Sequence, residues 1–391
     1  MNGLKSGTKV LFVFGTRPEA IKLVPLIKTL KEDASLTCKV CSTGQHKELL
    51  DQVLEFFNVI PDYDLELMEP QQSLVELTNK VITGVDSIVK NEFSPDYVIV
   101  QGDTTSAFSA ALAAFYNLIK VIHIEAGYRS FDKYAPFPEE LNRKFISNIA
   151  DFHFTPTLDC LHNLVSEGIN ENVIWNVGNT VIDALLMGLN MINNNVLFYD
   201  DHFSFISNKK KVILVTGHRR ENFGTPVKNI CNAIKQIAEN NPDFEIVYSL
   251  HLNPNSRKTV LDLLQNLPKV HLVEPLNYSK LIWLLSVCYL VITDSGGIQE
   301  EAATLGKPVL IIRHVTERMD GVSSGTAKLV GTDTKKIVDT CQNLIDDIDE
   351  YKKMSKAGSP YGDGTASLKI LEIMKGNFVS SNLLKKLIIN G

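Results

Sequence analysis

The sequence predicts an α/β protein with two doubly wound parallel sheets. Short apolar, β-branched runs alternate with helical stretches through most of the 391 residues, a pattern typical of parallel strands joined by right-handed crossovers. The chain is also too long for one compact core, so we expect two domains. Polar and charged residues follow the predicted strands, and doubly wound sheets bind ligands at that edge. If the two edges face each other, the site is an interdomain cleft.

The first half contains six predicted strands. They are Lys9–Phe14, Thr37–Ser42, Asp96–Val100, Val121–Ile124, Phe152–Thr155 and Val173–Val177. After the first of them, Gly15 ends the strand and Pro18 suits a first helical position. Arg17 and Lys22 place two positive charges near that helix start, where an anionic substrate could lie; the alternative is a solvated basic pair. Pro25 is expected to kink the helix.

The second half repeats the alternation with six more strands. They are Lys211–Val215, Glu245–Leu250, Val270–Val273, Leu290–Thr293, Val309–Ile312 and Ala327–Val330. Residues 196–210 are polar and read as an irregular surface loop. We place the domains at 1–177 and 178–365, with the hinge near Gly178–Thr180 and a C-terminal helix at 366–391 packing back on the first domain.

The turn after strand Leu290–Thr293 is the most specific local feature. Ser295, Gly296 and Gly297 precede strong helix formers. A bare backbone turn at a helix start leaves free N–H groups beside the positive end of the helix dipole, which is an anion site. Glu301, about one helical turn further on, has a carboxylate suited to both hydroxyls of a ribose. The alternative is an ordinary strand–turn–helix with a solvated Glu pair.

Three carboxylates follow separate strands of the first half. Asp103, Glu125 and Glu139 would be costly to bring together unless some hold protons or meet cations, and such a group suits proton transfer on and off carbon. Each alone is as often a cap or an ion-pair partner. His218, beside Arg219 and Arg220, could stabilise a leaving diphosphate.

Several classes of function are disfavoured. The net charge of −6 argues against a nucleic-acid surface. No apolar run approaches the roughly 18 residues of a membrane helix, and no export segment opens the sequence, so we expect a cytoplasmic enzyme. No GxGxxG, HExxH or Walker loop is present, so we expect no cofactor and no metal. Cys38 and Cys41, three apart on a strand, are expected to be free thiols.

Seven ordered motifs resemble those of the non-hydrolysing UDP-N-acetylglucosamine 2-epimerases. They are Phe14–Lys22, Gly102–Thr104, His123–Gly127, Pro138–Arg143, Gly217–Asn222, His251–Pro254 and Asp294–Ala302. The resemblance implies a GT-B fold, a homodimer and interconversion of UDP-GlcNAc and UDP-ManNAc without a redox cofactor. In that reaction the C2 proton and UDP leave to give a 2-acetamidoglucal, a proton then returns to the other face of C2, and UDP re-adds.

The resemblance also assigns residues. It implies that Asp103, Glu125 and Glu139 are acid/base groups, without deciding which abstracts the C2 proton, and that His218 assists catalysis. The residues implied to bind substrate are Arg17, Lys22, Arg143, His251, Ser295, Gly296, Gly297, Glu301 and Arg318. Gln45, His46 and Arg219 match parts of a regulatory UDP-GlcNAc site, which His251 also matches.

Some positions depart from the family pattern. Met319-Asp320-Gly321 stands where Pro-Glu-Ala or Pro-Glu-Gly is usual, Tyr128 where Leu is common and Phe137 where Trp is common. A 3-amino or uronic derivative of UDP-GlcNAc is therefore an alternative substrate. A GT-B glycosyltransferase and a non-catalytic nucleotide-sugar sensor are the alternatives from other functional classes, and three strand-end carboxylates favour the epimerase over both.

Overall fold

The computed structural model describes residues 6–44, 47–69, 72–193, 196–206, 211–217, 219, 222–250 and 253–376. These residues form two compact units, each with its own sheet. The first unit draws on residues up to 184 and again from 361, and the second unit spans 185–360. The boundaries predicted from the sequence are 177/178 and 365/366.

The first unit contains a seven-stranded parallel sheet in the order β3-β2-β1-β4-β5-β6-β7. Its strands are β1 Thr8–Phe14, β2 Leu36–Ser42, β3 Tyr63–Asp64, β4 Tyr97–Gln101, β5 Lys120–Ile124, β6 Phe152–Thr155 and β7 Ile174–Asn176. Its helices are α1 Arg17–Lys31, α2 Lys47–Phe56, α3 Leu74–Asn91, α4 Thr105–Tyr116, α5 Glu139–Ile149, α6 Leu158–Ser166 and the 3₁₀ turn Glu171–Val173. Helix α7, Thr180–Asn193, carries the chain into the second unit.

The second unit contains a six-stranded parallel sheet in the order β10-β9-β8-β11-β12-β13. Its strands are β8 Lys211–Thr216, β9 Phe244–Ser249, β10 Val270–Val273, β11 Leu290–Thr293, β12 Val309–Ile311 and β13 Ala327–Leu329. Its helices are α8 Val196–His202, α9 Thr225–Asn240, α10 Pro254–Leu264, α11 Tyr278–Val287, α12 Gly296–Thr304, α13 Met319–Ser323, α14 Thr334–Asp346 and α15 Ile348–Ser355.

The strand orders confirm the prediction of two doubly wound sheets. In each sheet the chain steps outward from the first strand, returns, and continues on the other side. The reversal leaves a switch point between β1 and β4 in the first unit and between β8 and β11 in the second, and ligands of such sheets bind at switch points. No helix in the described ranges is both long and apolar enough to cross a bilayer.

The prediction of an irregular loop over residues 196–210 is wrong for its first part. Residues 196–202 form helix α8, and the Phe203 ring that follows stacks on Trp283 of α11 with centroids 4.7 Å apart. Tyr199 and Phe203, four positions apart, are both buried. Their burial outweighs the polar residues between them, a tertiary effect that local composition does not reveal. Residues 207–210 lie outside the described ranges.

Residues after the second unit return to the first as helix α16, Ala366–Lys375. The Asp183 carboxylate accepts the backbone N–H groups of Ala366 (3.3 Å) and Ser367 (2.7 Å). The backbone N–H of Asn179 donates to the Tyr361 carbonyl at 2.7 Å, where the outgoing and returning segments run side by side. Residues 377–391 of the predicted C-terminal helix lie outside the described ranges.

All six cysteines are free thiols, which confirms the prediction for Cys38 and Cys41. Cys38 is half-buried and the other five are buried. Pro25 lies inside α1, which continues through it to Lys31.

Candidate functional site

The β1–α1 turn is tightly constrained. A Cβ atom at Gly15 would overlap the hydroxyl groups of Thr43 and Ser106, so only glycine fits there. Thr16 is the N-cap of α1, and Arg17 is its first residue. The turn lies at the switch point of the first sheet, and the half-buried Arg17 stands at its exit.

Asp103 lies in the turn after β4 and is held by helix α5. The Arg143 guanidinium contacts its Oδ2 through Nε at 2.8 Å and Nη2 at 2.6 Å. The Asn142 amide donates to the Asp103 carbonyl at 2.9 Å. Arg143, predicted to bind substrate, therefore neutralises and orients a predicted acid/base group. The Asp103 side chain remains 27% exposed.

Glu125 follows β5 with a left-handed φ of 61°. Its Oε2 forms an ion pair with Lys22 Nζ and accepts the Asn179 amide at 3.1 Å. Lys22, like Arg143, thus contacts one of the predicted acid/base groups. Gln101 of β4 and Ile124 of β5 are register partners, so Asp103 and Glu125 follow the ends of adjacent strands.

Glu139 is the half-buried first residue of α5. Its neighbour Glu140 is fully buried; it accepts the backbone N–H groups of Ser130 (2.9 Å) and Phe131 (3.1 Å) and pairs with Arg143 at 2.9 Å. Sequence reasoning missed Glu140, because a Glu-Glu pair at a helix start does not reveal which carboxylate faces inward. It also missed the amides of Asn142 and Asn179.

In the second unit, the Thr293 hydroxyl and the Asp294 carboxylate hold the turn after β11 in place. The Thr216 and Thr293 hydroxyls, at the ends of β8 and β11, are 2.6 Å apart, and Thr293 also accepts the Ser295 N–H at 3.0 Å. The buried Asp294 carboxylate accepts the Arg219 N–H and the Asn222 amide, both at 2.9 Å. These contacts anchor the loop after β8 to the turn that starts α12.

Helix α12 begins at Gly296 with Ser295 as N-cap, so both glycines lie inside the helix and not in the turn predicted to precede it. The Arg318 guanidinium lies directly against Gly296, where a Cβ atom would overlap it. At Gly297 an added Cβ would meet no atom within 4 Å. Free N–H groups at the helix start, an adjacent guanidinium and open space beside a glycine together suit an anion.

Three arginines surround the buried Glu317. Arg318 and Arg313 contact its carboxylate at 2.5 and 2.9 Å, and Arg219 lies at 3.6 Å. Burial opposes the charge of this carboxyl, but the three guanidinium groups outweigh burial and hold its pKa well below its usual range. Arg318 also donates to Glu300 of α12 at 2.8 Å. The cluster fixes Arg318 at the start of α12.

Glu301 lies inside α12 and is 3% exposed. Its Oε1 accepts the Tyr278 hydroxyl at 2.9 Å. Four predicted site residues lie outside the described ranges: Gln45, His46, His218 and His251. In the part of the chain that the structure describes, no group of three or more His, Cys, Asp and Glu side chains could hold a metal ion.

A family model described as UDP-N-acetylglucosamine 2-epimerase matches residues 28–375. The chain belongs to the UDP-N-acetylglucosamine 2-epimerase family. The family's enzyme from Campylobacter jejuni is 50% identical over 372 residues, 94% of this chain and 97% of that protein.

Solved structures of the same family have the same fold as this chain. A UDP-GlcNAc 2-epimerase from Neisseria meningitidis bound to UDP-GlcNAc is 47% identical, with a TM-score of 0.91 over 95% of this chain and all of that one. The Methanocaldococcus jannaschii enzyme in complex with UDP-GlcNAc and UDP is 32% identical, with a TM-score of 0.81 over 95% and 100%. Both the family and the Rossmann-like fold class predicted from sequence are confirmed.

Proposed function

We propose that this protein interconverts UDP-GlcNAc and UDP-ManNAc by elimination and re-addition of UDP. Membership of the family, with relatives near 50% identity over almost the whole chain, carries the proposal. A carboxylate takes the C2 proton while the C1–O bond breaks and its electron pair leaves with UDP. The 2-acetamidoglucal then receives a proton on the opposite face of C2 and UDP returns to C1. Substrate and product are isomers, so no net oxidant is consumed.

The two units supply different parts of this chemistry in the proposal. The start of α12 with Ser295, Gly296, Gly297 and Arg318 binds the diphosphate and stabilises the charge that develops on it. Glu301 accepts hydrogen bonds from the ribose hydroxyls, and Arg17 binds the anionic part of the substrate. The arginine cluster around Glu317 supports this assignment, because it fixes a cation beside open helix N–H groups.

The acid/base groups belong to the first unit. C2 must be reached from both faces, so more than one proton-transferring group is required. Asp103 and Glu125, at adjacent strand ends, and Glu139 on α5 are the proposed set. Arg143 orients Asp103 and Lys22 orients Glu125. In the same proposal His218 assists catalysis, His251 binds substrate, and Gln45, His46 and Arg219 contribute to a regulatory UDP-GlcNAc site.

Incubation with UDP-GlcNAc in deuterated water tests the function. An epimerase incorporates deuterium at C2 and yields two epimers without an acceptor, as seen by proton NMR. A glycosyltransferase would leave C2 protonated and require an acceptor, and a sensor would leave the sugar unchanged. A panel of 3-amino and uronic UDP-sugars in the same assay identifies the preferred substrate. Asp103→Asn and Glu125→Gln should bind UDP but lose turnover.

We further propose that the protein is a cytoplasmic homodimer that supplies a sugar donor for surface polysaccharides. Six free thiols suit a reducing compartment. Phe115, Tyr116 and Phe145 are 54%, 67% and 45% exposed on α4 and α5, and Phe145 packs against Phe108 of α4. An exposed aromatic surface of this kind is typical of an interface. Light scattering on the purified protein and on Phe115→Glu measures the oligomeric state.

A further inference from the structure

Glu19 is a buried carboxylate to which the proposed reaction assigns no role. It lies in α1 with 1% of its surface exposed. Its Oε2 accepts the N–H groups of Gly15 (3.1 Å) and Thr16 (2.8 Å), and its Oε1 accepts the Thr104 hydroxyl at 2.8 Å. We propose that Glu19 is a positioning residue that fixes the Asp103 turn against the β1–α1 turn for catalysis. This rests on the proposed function, in which Asp103 transfers protons.

A helix cap alone does not explain this arrangement. Helix α3 has an ordinary capping box, in which the exposed Glu76 accepts the N–H and the hydroxyl of Ser73, each at 2.8 Å. Such a cap needs neither burial nor a distant partner. Glu19 instead is buried, which raises its pKa to about 7, and it reaches a residue 85 positions away. Burying a carboxylate costs free energy, which indicates that Glu19 does more than cap α1.

The partner of Glu19 adjoins Asp103. Thr104 is the N-cap of α4; its oxygen accepts the Ala107 N–H at 3.0 Å, while its hydroxyl proton is given to Glu19. The turn is also held at Gly102, whose carbonyl lies 2.8 Å from His123 Nε2, and at the Asp103 carbonyl by α5. The Gly102 N–H also donates to the Ile124 carbonyl at 2.9 Å. Glu19 adds a support on the Thr104 side of Asp103.

The same carboxylate also defines the turn that leads to Arg17. Strands β1 and β4 are paired neighbours, with Val10 opposite Tyr97, and both turns leave the sheet at its switch point. A single buried group thus sets the separation between the turn carrying a proposed substrate-binding cation and the turn carrying a proposed acid/base group. Misplacement of a reacting group by about 1 Å can cost about 100-fold in rate.

The test compares Glu19→Gln with Glu76→Gln in the full-length protein, using C2 deuterium incorporation, UDP binding and thermal unfolding. Gln can keep the two backbone N–H bonds but presents an NH2 group to the Thr104 hydroxyl. We expect kcat of Glu19→Gln to fall about 10- to 100-fold while KM and the Kd for UDP change less than about threefold. Glu76→Gln, the matched capping-box control, should keep kcat.

Variants of Thr104 test the same hydrogen bond from its other end. Thr104→Val, which also removes the N-cap bond to Ala107, should lower kcat at least as much as Glu19→Gln, and Thr104→Ser, which keeps both bonds, should have nearly wild-type kcat. The double variant Glu19→Gln/Thr104→Val should lose no more than Thr104→Val alone, because both changes act on the same Glu19–Thr104 hydrogen bond. If Glu19→Gln does not fold, the Thr104 pair still decides the outcome. Wild-type kcat in Thr104→Val and in any folded Glu19→Gln overturns the inference, as does a loss of kcat that merely follows loss of folded protein. Absence of C2 exchange in the wild type overturns the proposed function instead.

Discussion

Lys22 Nζ and Glu125 Oε2 form an ion pair in the first unit, with side chains only 9% and 7% exposed. The two residues come from α1 and from the end of β5, so the pair joins separate parts of the sheet edge. Removing one member of a buried pair leaves an uncompensated charge, whereas removing both charges costs far less. The pair therefore allows stability and turnover to be separated.

Lys22→Met should lower the free energy of unfolding by about 3–5 kcal/mol, because it leaves Glu125 charged and buried. The double variant Lys22→Met/Glu125→Gln should recover much of that loss but stay inactive, since it lacks the carboxylate. Urea unfolding and C2 deuterium exchange measure the two quantities. Equal stability of Lys22→Met and wild type would contradict the buried pair, and activity in the double variant would remove Glu125 from the mechanism.

Gly296→Ala should weaken UDP binding about 10- to 100-fold, the equivalent of losing one charge-assisted hydrogen bond. The new methyl group would displace the Arg318 guanidinium from the start of α12. Isothermal titration calorimetry with UDP measures the effect. Unchanged affinity would mean that Arg318 does not contact the diphosphate.

Gly297, the next residue, provides the comparison for Gly296→Ala. At Gly297 a methyl group would meet no protein atom within 4 Å, and Ala is favoured over Gly in a helix by about 0.5–1 kcal/mol. Gly297→Ala should therefore keep or raise thermal stability. Weaker UDP binding in this stable variant would indicate that the ligand itself occupies the open space.

Phe203→Ala should lower the free energy of unfolding by about 3–5 kcal/mol, because it removes a buried ring stacked on Trp283. Phe205, 41% exposed and two residues further on, provides the control, and Phe205→Ala should cost clearly less. Differential scanning calorimetry of both variants measures the difference. Equal effects would contradict the packing of the segment that follows α8.

Burial, with a smaller contribution from His123, lowers the pKa of His153 to about 3. In the unfolded chain the pKa is about 6.5, so between these values only the unfolded chain binds the proton. The stabilisation by neutral His153 is complete above about pH 6.5 and is lost, by up to about 1.4 kcal/mol per unit, as pH falls. The difference in unfolding free energy between wild type and His153→Gln should therefore shrink from pH 7 to pH 5. A constant difference would show that His153 titrates normally.

The strands were predictable because their patterns are local. Phe152–Thr155, Val270–Val273 and Leu290–Thr293 have the bounds that the sequence predicts, since each is an apolar run between polar or turn-forming residues. The two-residue strand β3 carries no such pattern and was missed. The turn before α12 was predictable for the same local reason, but its two glycines form the first two residues of the helix.

The partners within the candidate site were not predictable in this way. Lys22 and Arg143 were expected to meet substrate, and the structure pairs them with Glu125 and Asp103. The bond between Glu19 and Thr104 spans 85 positions and exists only because β1 and β4 are neighbours. Contacts of this kind depend on which strands adjoin in space, a property that spacing along the chain does not encode.

The return of the chain to the first unit through α16 has a consequence for biosynthesis. Helix α16 packs on α1, and Lys375 pairs with Asp33 at 2.6 Å, yet the ribosome makes it only after residues 185–360. At about 5–20 residues per second, this delay amounts to roughly 10–35 s. The nascent first unit keeps one face of α1 uncovered through that interval. The second unit is continuous in sequence, so it can complete its fold as soon as residue 360 has been made.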